Sequence, residues 1–332
     1  MPGGRAPRQL NAFSYARPRA LADALRLLRS GAQALAGGTD LVGLMKDGLT
    51  RPSTLVDLTG IDGLRGWSHA KGRGLRIGAL TPLVELETDQ TLAKTMPILR
   101  EALRDAATVQ LRTMGTVGGN LLQRNRCWYF RDEGTPCWLK GGTRCFAVDG
   151  ENRYHAIIGA QECVMVSPSD LVPALIAYDA EIALTSSRGQ RTMRLIDLFV
   201  TPRGRERREH ALRPGELITE VRVPEAALAR RGTYLKTMDR KAWSFALVSI
   251  AAAAKIERGV ARDVRLVMGG IAPVPWRVIV AEKGLEGSAL DDAACADAAD
   301  RMLAGATPLR DNGYKVTLAR ELVRRALRSL VA

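Results

Sequence analysis

Four of the five cysteines in this 332-residue chain fall within 37 residues, and this clustering constrains the fold more than any other feature. The four are Cys127, Cys137, Cys145 and Cys163, at intervals of 10, 8 and 18 residues. Four clustered thiols in a chain that starts without an apolar signal segment argue against a disulfide framework and for a metal site. The turn-rich segment 125–165 must therefore fold so that the four thiols converge.

The intervals between the cysteines also indicate the kind of metal. Structural zinc sites usually pair ligands about two to four residues apart, and none of the intervals fits. A 4Fe-4S cluster tolerates wider loops, so the spacing favours iron–sulfur over zinc. His155 is open to two interpretations, a replacement ligand or redox tuner and, preferred here, a structural histidine. Cys295 lies in an alanine-rich helical pattern and is predicted to be a small core residue. The segment also carries basic side chains suited to offsetting thiolate charge: Arg124, Arg126, Arg131, Lys140, Arg144 and Arg153.

The net charge of +14 suggests nucleic acid as a partner, but the distribution of the charge argues against it. The basic residues are dispersed, aromatic residues make up only 5%, and no nucleic-acid-binding module is recognisable. The densest basic run, residues 203–208, includes an acid and lies between prolines, which predicts a solvated loop. The apolar stretches are about 8 to 10 residues long, too short for a membrane span. Without a signal segment of its own, the chain is expected to be cytoplasmic.

Apolar periodicity and turn residues predict an α+β fold built from short elements. The first 60 residues have the pattern of a small α/β unit, with helices at 17–31 and from 41 and strands at 33–36 and 54–58. A glycine-rich stretch, residues 72–78, lacks dinucleotide-binding spacing and predicts a hairpin instead. A domain boundary is expected in the loop at 226–232. The later segments are strands at 75–80, 181–184, 217–224, 245–256 and 263–268, and helices at 291–304 and 312–330.

Two glycine-rich turns, each adjoining strand-like residues, are candidate phosphate sites. They are Ala36-Gly37-Gly38-Thr39-Asp40 and Gly115-Thr116-Val117-Gly118-Gly119-Asn120. Adjacent glycines lack Cβ atoms, so their N–H groups can approach a ligand closely and point together at an anion. Either turn alone is also consistent with a simple chain reversal, whereas the two together could cradle a diphosphate.

Four ordered motifs give the chain a family resemblance. Ala36-Gly37-Gly38-Thr39-Asp40-Leu41, Thr116-Val117-Gly118-Gly119-Asn120-Leu121, Ser169-Asp170-Leu171 and Tyr234-Leu235-Lys236 resemble motifs of the FAD-binding subunit of molybdenum hydroxylases, a group that includes xanthine dehydrogenase. The resemblance implies a vanillyl-alcohol-oxidase-like FAD-binding domain of two α/β subdomains, 1–60 and 61–226. A C-terminal α+β domain of the carbon monoxide dehydrogenase flavoprotein type, 227–332, then follows.

The resemblance also implies positions for FAD. Residues 34–41 are expected to wrap the diphosphate, Thr116, Gly119 and Asn120 to approach the ribityl chain and phosphates, and Asp170 to contact the sugar or adenine. Ile218 and Lys236 are expected near the isoalloxazine. The alternatives are an exposed cap for Asp170, a core strand residue for Ile218 and a solvated cation for Lys236. The complete set of expected FAD-binding residues is Ala34, Leu35, Ala36, Gly37, Gly38, Thr39, Asp40, Leu41, Thr108, Thr116, Gly118, Gly119, Asn120, Asp170, Ile218 and Lys236.

The cysteine segment narrows the resemblance to one subgroup. The amino-acid sequence from Gly119 to Cys163, which includes Cys127, Cys137 and Cys145, is similar to that of flavoprotein subunits of periplasmic aldehyde oxidoreductases. Those subunits carry an extra 4Fe-4S cluster. That similarity implies four cysteine ligands and an electron-transferring subunit of a heterotrimer. A large molybdenum–pterin subunit would oxidise an aldehyde with water to a carboxylic acid, and a small 2Fe-2S subunit would pass electrons through FAD here to an external acceptor.

Other functions stay open at this stage. A 4-hydroxybenzoyl-CoA reductase-like or xanthine dehydrogenase-like subunit is the nearest alternative, and a flavin-free scaffold and a stand-alone FAD oxidase are alternatives of other classes. No catalytic acid or base is predicted, because in this reading the chain binds and orients cofactors. Co-export with a signal-bearing small subunit is compatible with a periplasmic location.

Overall fold

The computed structural model describes residues 10–331 and begins with a small parallel sheet. Strand β3 (Thr54–Asp57) lies between β1 (Ser14–Ala16) and β2 (Gln33–Leu35), with helices α1 (Leu21–Arg29) and α2 (Leu41–Lys46) in the connections. The helix and strand predicted on either side of Gly31 are thus confirmed. Leucines from one face of α1 pack against β3, so this unit has its own apolar core.

A five-stranded antiparallel sheet follows, in the order β4-β5-β8-β6-β7. The predicted hairpin at residues 72–78 is confirmed as β4 and β5. Seven short helices lie between β5 and β6, and they pack with this sheet around the largest core. The strands are β4 (Trp67–Ala70), β5 (Gly74–Gly78), β6 (Glu181–Ser186), β7 (Gly189–Arg194) and β8 (Leu217–Val223); the helices are α3 (Leu83–Thr88), α4 (Gln90–Thr95), α5 (Pro97–Asp105), α6 (Val109–Met114), α7 (Val117–Leu121), α8 (Trp128–Arg131) and α9 (Leu171–Ala177).

The C-terminal part is a four-stranded antiparallel sheet covered by helices, in the order β12-β11-β10-β9. The turn at Arg258-Gly259 between β10 and β11 is confirmed, and so are the last two helices. Cys295 is fully buried in α11 among apolar side chains, as predicted. The elements are β9 (Arg231–Thr237), β10 (Val248–Glu257), β11 (Val260–Gly269), β12 (Trp276–Arg277), α10 (Ile279–Gly284), α11 (Asp292–Leu303) and α12 (Tyr314–Ser329).

The connection before β9 is fixed rather than loose. Arg230 is buried and forms ion pairs with Asp179, at the end of α9, and with Asp263 on β11. The largest core includes residues of both α9 and β10, so packing crosses the predicted limit at 226/227. The domain limits at 60/61 and 226/227 stay predictions. In residues 10–331 no helix is both long and apolar enough to span a membrane.

Candidate functional site

The first glycine turn connects β2 to α2 and lies directly against the second. A Cβ built at Gly37 would come within 1.6 Å of the Met114 carbonyl oxygen, so the close approach of these two backbones requires glycine. The next residue, Gly38, has φ +73°, a conformation that side-chain-bearing residues rarely adopt. The two positions therefore explain the paired glycines, and they bring residues 36–40 against residues 114–120.

The second glycine turn differs from its prediction. It joins helix α6 to helix α7, and no strand adjoins it. Thr116 caps α7, its Oγ1 accepting from the Gly119 N–H at 3.2 Å, and a Cβ at Gly118 would lie 3.1 Å from Ala79 O. Gly118 packs closely on Ala79, in the connection between β5 and α3, and this packing together with the Thr116 cap explains why these residues are helical.

Two cavities lie on either side of the joined turns. The smaller, of about 260 Å³, is lined by most of residues 34–41 together with Thr116, Gly118 and Ile218. The larger, of about 820 Å³, is lined by Asn120 and Asp170 among others. Thr39, Asp40 and Gly119 line both cavities, so an elongated ligand that follows the turns reaches into each.

Three of the expected FAD-binding residues line neither cavity. Leu35 is part of β2, and Thr108 caps helix α6, its Oγ1 accepting from the Leu111 N–H at 3.2 Å. Lys236 lies behind Asp170, with its side chain completely buried. The structure gives Thr108 a capping role and gives Lys236 a partner within the protein.

Asp170 and Lys236 form a buried polar group at the wall of the larger cavity. Lys236 Nζ donates to Asp170 Oδ2 at 2.9 Å and to the Asp105 carbonyl oxygen at 2.8 Å, and the Tyr234 hydroxyl donates to Asp170 Oδ1 at 2.6 Å. Burial raises the pKa of Asp170, and Lys236 and Tyr234 oppose that rise. The alternatives of an exposed cap and a solvated cation are both wrong.

The structure places Lys236 with Asp170 rather than with Ile218, and the end of FAD that each residue contacts stays a prediction. Lys236 was expected beside Ile218 at the isoalloxazine, with Asp170 at the adenine side. Instead Lys236 is paired with Asp170 at the larger cavity, whereas Ile218 lines the smaller one. Asp170 and Lys236 therefore belong to the same end of any ligand.

We expect Lys236→Met to destabilise the folded chain by about 3–5 kcal/mol, because it leaves the Asp170 carboxylate buried without its cation. Urea unfolding followed by circular dichroism measures the change in the free energy of unfolding. The exposed Lys94→Met is the matched control and is expected to change that free energy by less than about 0.5 kcal/mol. Equal stability of the two variants contradicts a structural role for the ion pair.

The four clustered cysteines come together in space. Cys137 and Cys163 are buried in one small apolar cluster, and Cys127 packs against it. The Cys163 thiol is hydrogen-bonded to Cys145, which lowers the pKa of Cys145 to about 6 and raises that of Cys163. Burial raises the pKa of Cys127 to about 12. Among residues 10–331, no three His, Cys, Asp or Glu side chains converge tightly enough to bind a single metal ion.

His155 lies directly beside the cysteines, with its Nε2 3.2 Å from Cys127 Sγ. Burial and the nearby Lys315 ammonium lower the pKa of His155 to about 4, so the imidazole is neutral at pH 7. Its Nδ1 is buried without a hydrogen-bond partner in the described part of the chain. The imidazole therefore has hydrogen-bonding capacity that the protein leaves unused.

Sequence reasoning missed the role of Asp40. Its Oδ2 accepts from the Arg124 backbone N–H at 2.8 Å, and its Oδ1 lies 2.8 Å from Arg131 Nη2 and 2.9 Å from Arg126 Nη1. Both carboxylate oxygens thus bind residues in the range 124–131, and the contact of Asp40 with a diphosphate stays a prediction. Arg124 in turn pairs with the buried Glu209 at 2.7 Å. That Arg124, Arg126 and Arg131 offset the negative charge of a thiolate-ligated cluster stays a prediction, and each of them already has a carboxylate partner.

The predicted loop at 203–208 is confirmed and is mostly exposed, but Arg207 within it is bound to the protein. Its Nη1 donates to the carbonyl oxygens of Trp138 and Gly142, at 2.8 and 2.9 Å, and its guanidinium stacks over the Trp138 ring. Arg207 thus connects the loop at 203–208 to the residues between Cys137 and Cys145. The sequence offers no sign of this contact, since about 65 residues separate the partners.

The larger cavity connects the glycine turns to the cysteines. Cys127 and His155 are part of its lining, beside the aromatic side chains of Trp128, Tyr154, Trp243 and Phe245. These aromatic residues are scattered over more than 100 positions of the sequence, so no local pattern marks them.

Comparisons with known proteins agree with this geometry. Residues 11–226 match the family described as the FAD binding domain in molybdopterin dehydrogenase, and residues 233–330 match the CO dehydrogenase flavoprotein C-terminal domain. The chain is 35% identical to the aldehyde oxidoreductase FAD-binding subunit PaoB of Escherichia coli, over 97% of this chain and 98% of that one. It is 27% identical to the glyceraldehyde dehydrogenase medium chain of Sulfolobus acidocaldarius, over 94% of each.

The fold is also similar to a solved structure. Carbon monoxide dehydrogenase from Hydrogenophaga pseudoflava, in a form lacking the Mo-pyranopterin moiety of its molybdenum cofactor, superposes with a TM-score of 0.76. The two chains are 25% identical, and the match covers 98% of each.

Proposed function

Because the chain belongs to the family of FAD-binding medium subunits of xanthine dehydrogenase-type molybdenum hydroxylases, we propose that it is the electron-transferring subunit of an aldehyde-oxidising complex. FAD binding and membership of an oxidoreductase complex follow from the family itself. The proposal adds a 4Fe-4S cluster, the aldehyde substrate class and the heterotrimeric assembly. The observation that carries it is the cavity that is lined both by residues of the second glycine turn and by Cys127.

The two cavities suggest how FAD lies on the protein. The joined glycine turns suit the diphosphate, because Gly37 and Gly118 allow close backbone packing and so place both turns in the wall of one cavity. Each cavity takes one end of FAD, the adenosine in the cavity of about 820 Å³ and the isoalloxazine in the cavity of about 260 Å³. Asp170 and Asn120 then face the adenosine end, and Ile218 the isoalloxazine end. When bound, FAD supplies a carrier that accepts two electrons and releases them to an acceptor.

The four cysteines fit a cluster better than a single ion. Zinc needs four ligands converging on one atom, an arrangement not found among residues 10–331. A 4Fe-4S cluster binds each thiolate at a different iron atom, so its ligands are spread over a larger volume. The buried apolar cluster around Cys137 and Cys163 and the proximity of all four thiols support this assignment. When bound, the cluster supplies a one-electron carrier beside the FAD-binding cavities.

The aldehyde substrate class is proposed from the two relatives whose names refer to aldehydes. The substrate itself is expected to bind in a large molybdenum–pterin subunit, and a small 2Fe-2S subunit is expected to connect that site to FAD. This chain is assigned no acid or base, since Asp170 at the cavity is engaged with Tyr234 and Lys236 and the proposed role of the chain is to hold the cofactors. Its contribution is binding, orientation and tuning of the cofactors.

Anaerobic purification of the full chain tests the proposal. We expect about one FAD and about four irons per chain, and a paramagnetic resonance signal of a reduced 4Fe-4S cluster after dithionite treatment. Zinc in place of iron contradicts the cluster. A colourless preparation from a flavin-replete host supports a scaffold instead, and aldehyde oxidation by this chain without partners supports a stand-alone oxidase.

A further inference from the structure

Lys315 carries a buried ammonium in an unusual setting. It lies on α12 and is completely buried. Its Nζ donates to three backbone carbonyl oxygens, those of Gly270 at 2.8 Å, Tyr154 at 2.9 Å and His155 at 3.1 Å. Three acceptors match the three N–H donors of an ammonium, so the cage suits the charged form.

No acid in the described part of the chain neutralises this charge. Within residues 10–331, no carboxylate lies at ion-pair distance from Lys315, and burial is the only influence on its pKa, which it lowers to about 7. A buried charge is costly unless another charge or strong hydrogen bonds compensate for it. The carbonyl cage compensates in part, and a nearby anion would compensate for the remainder.

The cage leads directly to the cysteines. Two of its carbonyls belong to Tyr154 and His155, and the His155 ring contacts Cys127 Sγ at 3.2 Å. Asn312, one turn before Lys315, also holds this segment, since its Nδ2 donates to the carbonyl oxygens of His155 and Ala156. The Lys315 charge acts on the His155 ring electrostatically. The C-terminal part thus fixes the position of His155 against Cys127.

We propose that Lys315 is a positioning residue and counter-charge for the cluster at Cys127, and that it raises the cluster's reduction potential. This inference rests on the proposed 4Fe-4S cluster. Reduction transfers one electron from an external donor to the cluster and adds one negative charge. A fixed positive charge in a poorly solvated interior stabilises the more negative state, so it favours reduction. Through the His155 backbone the same side chain keeps the imidazole against the Cys127 sulfur.

The test is a redox titration of the full flavin- and iron-loaded chain with dithionite, followed by paramagnetic resonance of the cluster. We expect Lys315→Met to reduce the ratio of reduced to oxidised cluster about tenfold at a given potential, a fall of about 59 mV for a one-electron couple. Lys255→Met, in the same C-terminal part but partly exposed and paired with Asp263, is the matched control and is expected to leave the potential unchanged.

A second variant distinguishes the effect of the Lys315 charge from the effect of its hydrogen bonds. Lys315→Gln keeps hydrogen-bond donors but removes the charge, and it decides the question if the methionine variant does not fold. A lowered potential in the glutamine variant supports the counter-charge. An unchanged potential with full iron content overturns the inference while leaving the cluster established. Absence of iron from the unsubstituted chain refutes the proposed function instead.

Discussion

Replacing Gly37 with alanine is expected to yield a chain without flavin. The added Cβ would lie 1.6 Å from the Met114 carbonyl oxygen and 3.2 Å from the Gly115 nitrogen, and both are backbone atoms. A flexible side chain could move aside, but here residues 36–40 must separate from the α6–α7 junction. We expect FAD content to fall from about one to below about 0.1 per chain, and overpacking to cost about 1–3 kcal/mol of stability.

Flavin absorbance and acid-released FAD measure the effect, and Gly43→Ala is the matched control. A Cβ built at Gly43 meets no atom within 4 Å, and the residue lies inside helix α2. Alanine is favoured over glycine there by up to about 1 kcal/mol, so this variant is expected to keep its flavin and gain stability. A Gly37→Ala chain with full flavin content would show that the joined turns do not hold the diphosphate.

The sequence was most informative where local chemistry decides the structure. The glycine turn at 37–38 was predictable because a positive φ and a close backbone approach both select glycine. The second turn was predicted at the right residues but with the wrong neighbours. Gly118 and Gly119 have low helix propensity, yet they form part of α7 because Thr116 caps the helix and Gly118 packs on Ala79. Tertiary packing outweighs propensity in a helix this short.

Residues with distant partners were beyond sequence reasoning. Asp40 was predicted to bind cofactor because of its place in a motif, and its partners within the protein are arginines some 85 to 90 positions away. Lys315 gave no signal at all, since it is one of many basic residues in a helical pattern and its acceptors are backbone oxygens 45, 160 and 161 positions earlier. Patterns identify residue types, whereas these contacts depend on how separate segments pack.

Asp40 gives the site a physical connection between its two proposed cofactors. It lies in the lining of both cavities, and its carboxylate holds the backbone of Arg124 and the side chain of Arg131, on either side of Cys127. Glu209 holds the same segment through the Asn125 backbone N–H at 3.0 Å. The position of Cys127 relative to the glycine turns is therefore set by the ion pairs and hydrogen bonds of these two carboxylates.

Substituting Cys137 with serine is expected to remove the cluster while leaving flavin in place. Cys137 is buried in the apolar cluster and is not part of the lining of either cavity, unlike Cys127. Serine has nearly the same shape as cysteine, but its hydroxyl is a far poorer ligand for iron. One iron atom of the cluster therefore loses its protein ligand. We expect iron to fall from about four to below about one per chain, with loss of the 4Fe-4S resonance after reduction.

Cys295→Ser is the matched control for this substitution. Cys295 donates to the Leu290 carbonyl oxygen at 3.2 Å, a hydrogen bond that a serine hydroxyl keeps, and it lies in the core of α11 away from the other four cysteines. Its iron and flavin contents are expected to match those of the unsubstituted chain. If Cys137→Ser retains all its iron, Cys137 is not a ligand. If it loses flavin together with iron, the cysteine segment also shapes the larger cavity, as the contacts of Asp40 with Arg126 and Arg131 allow.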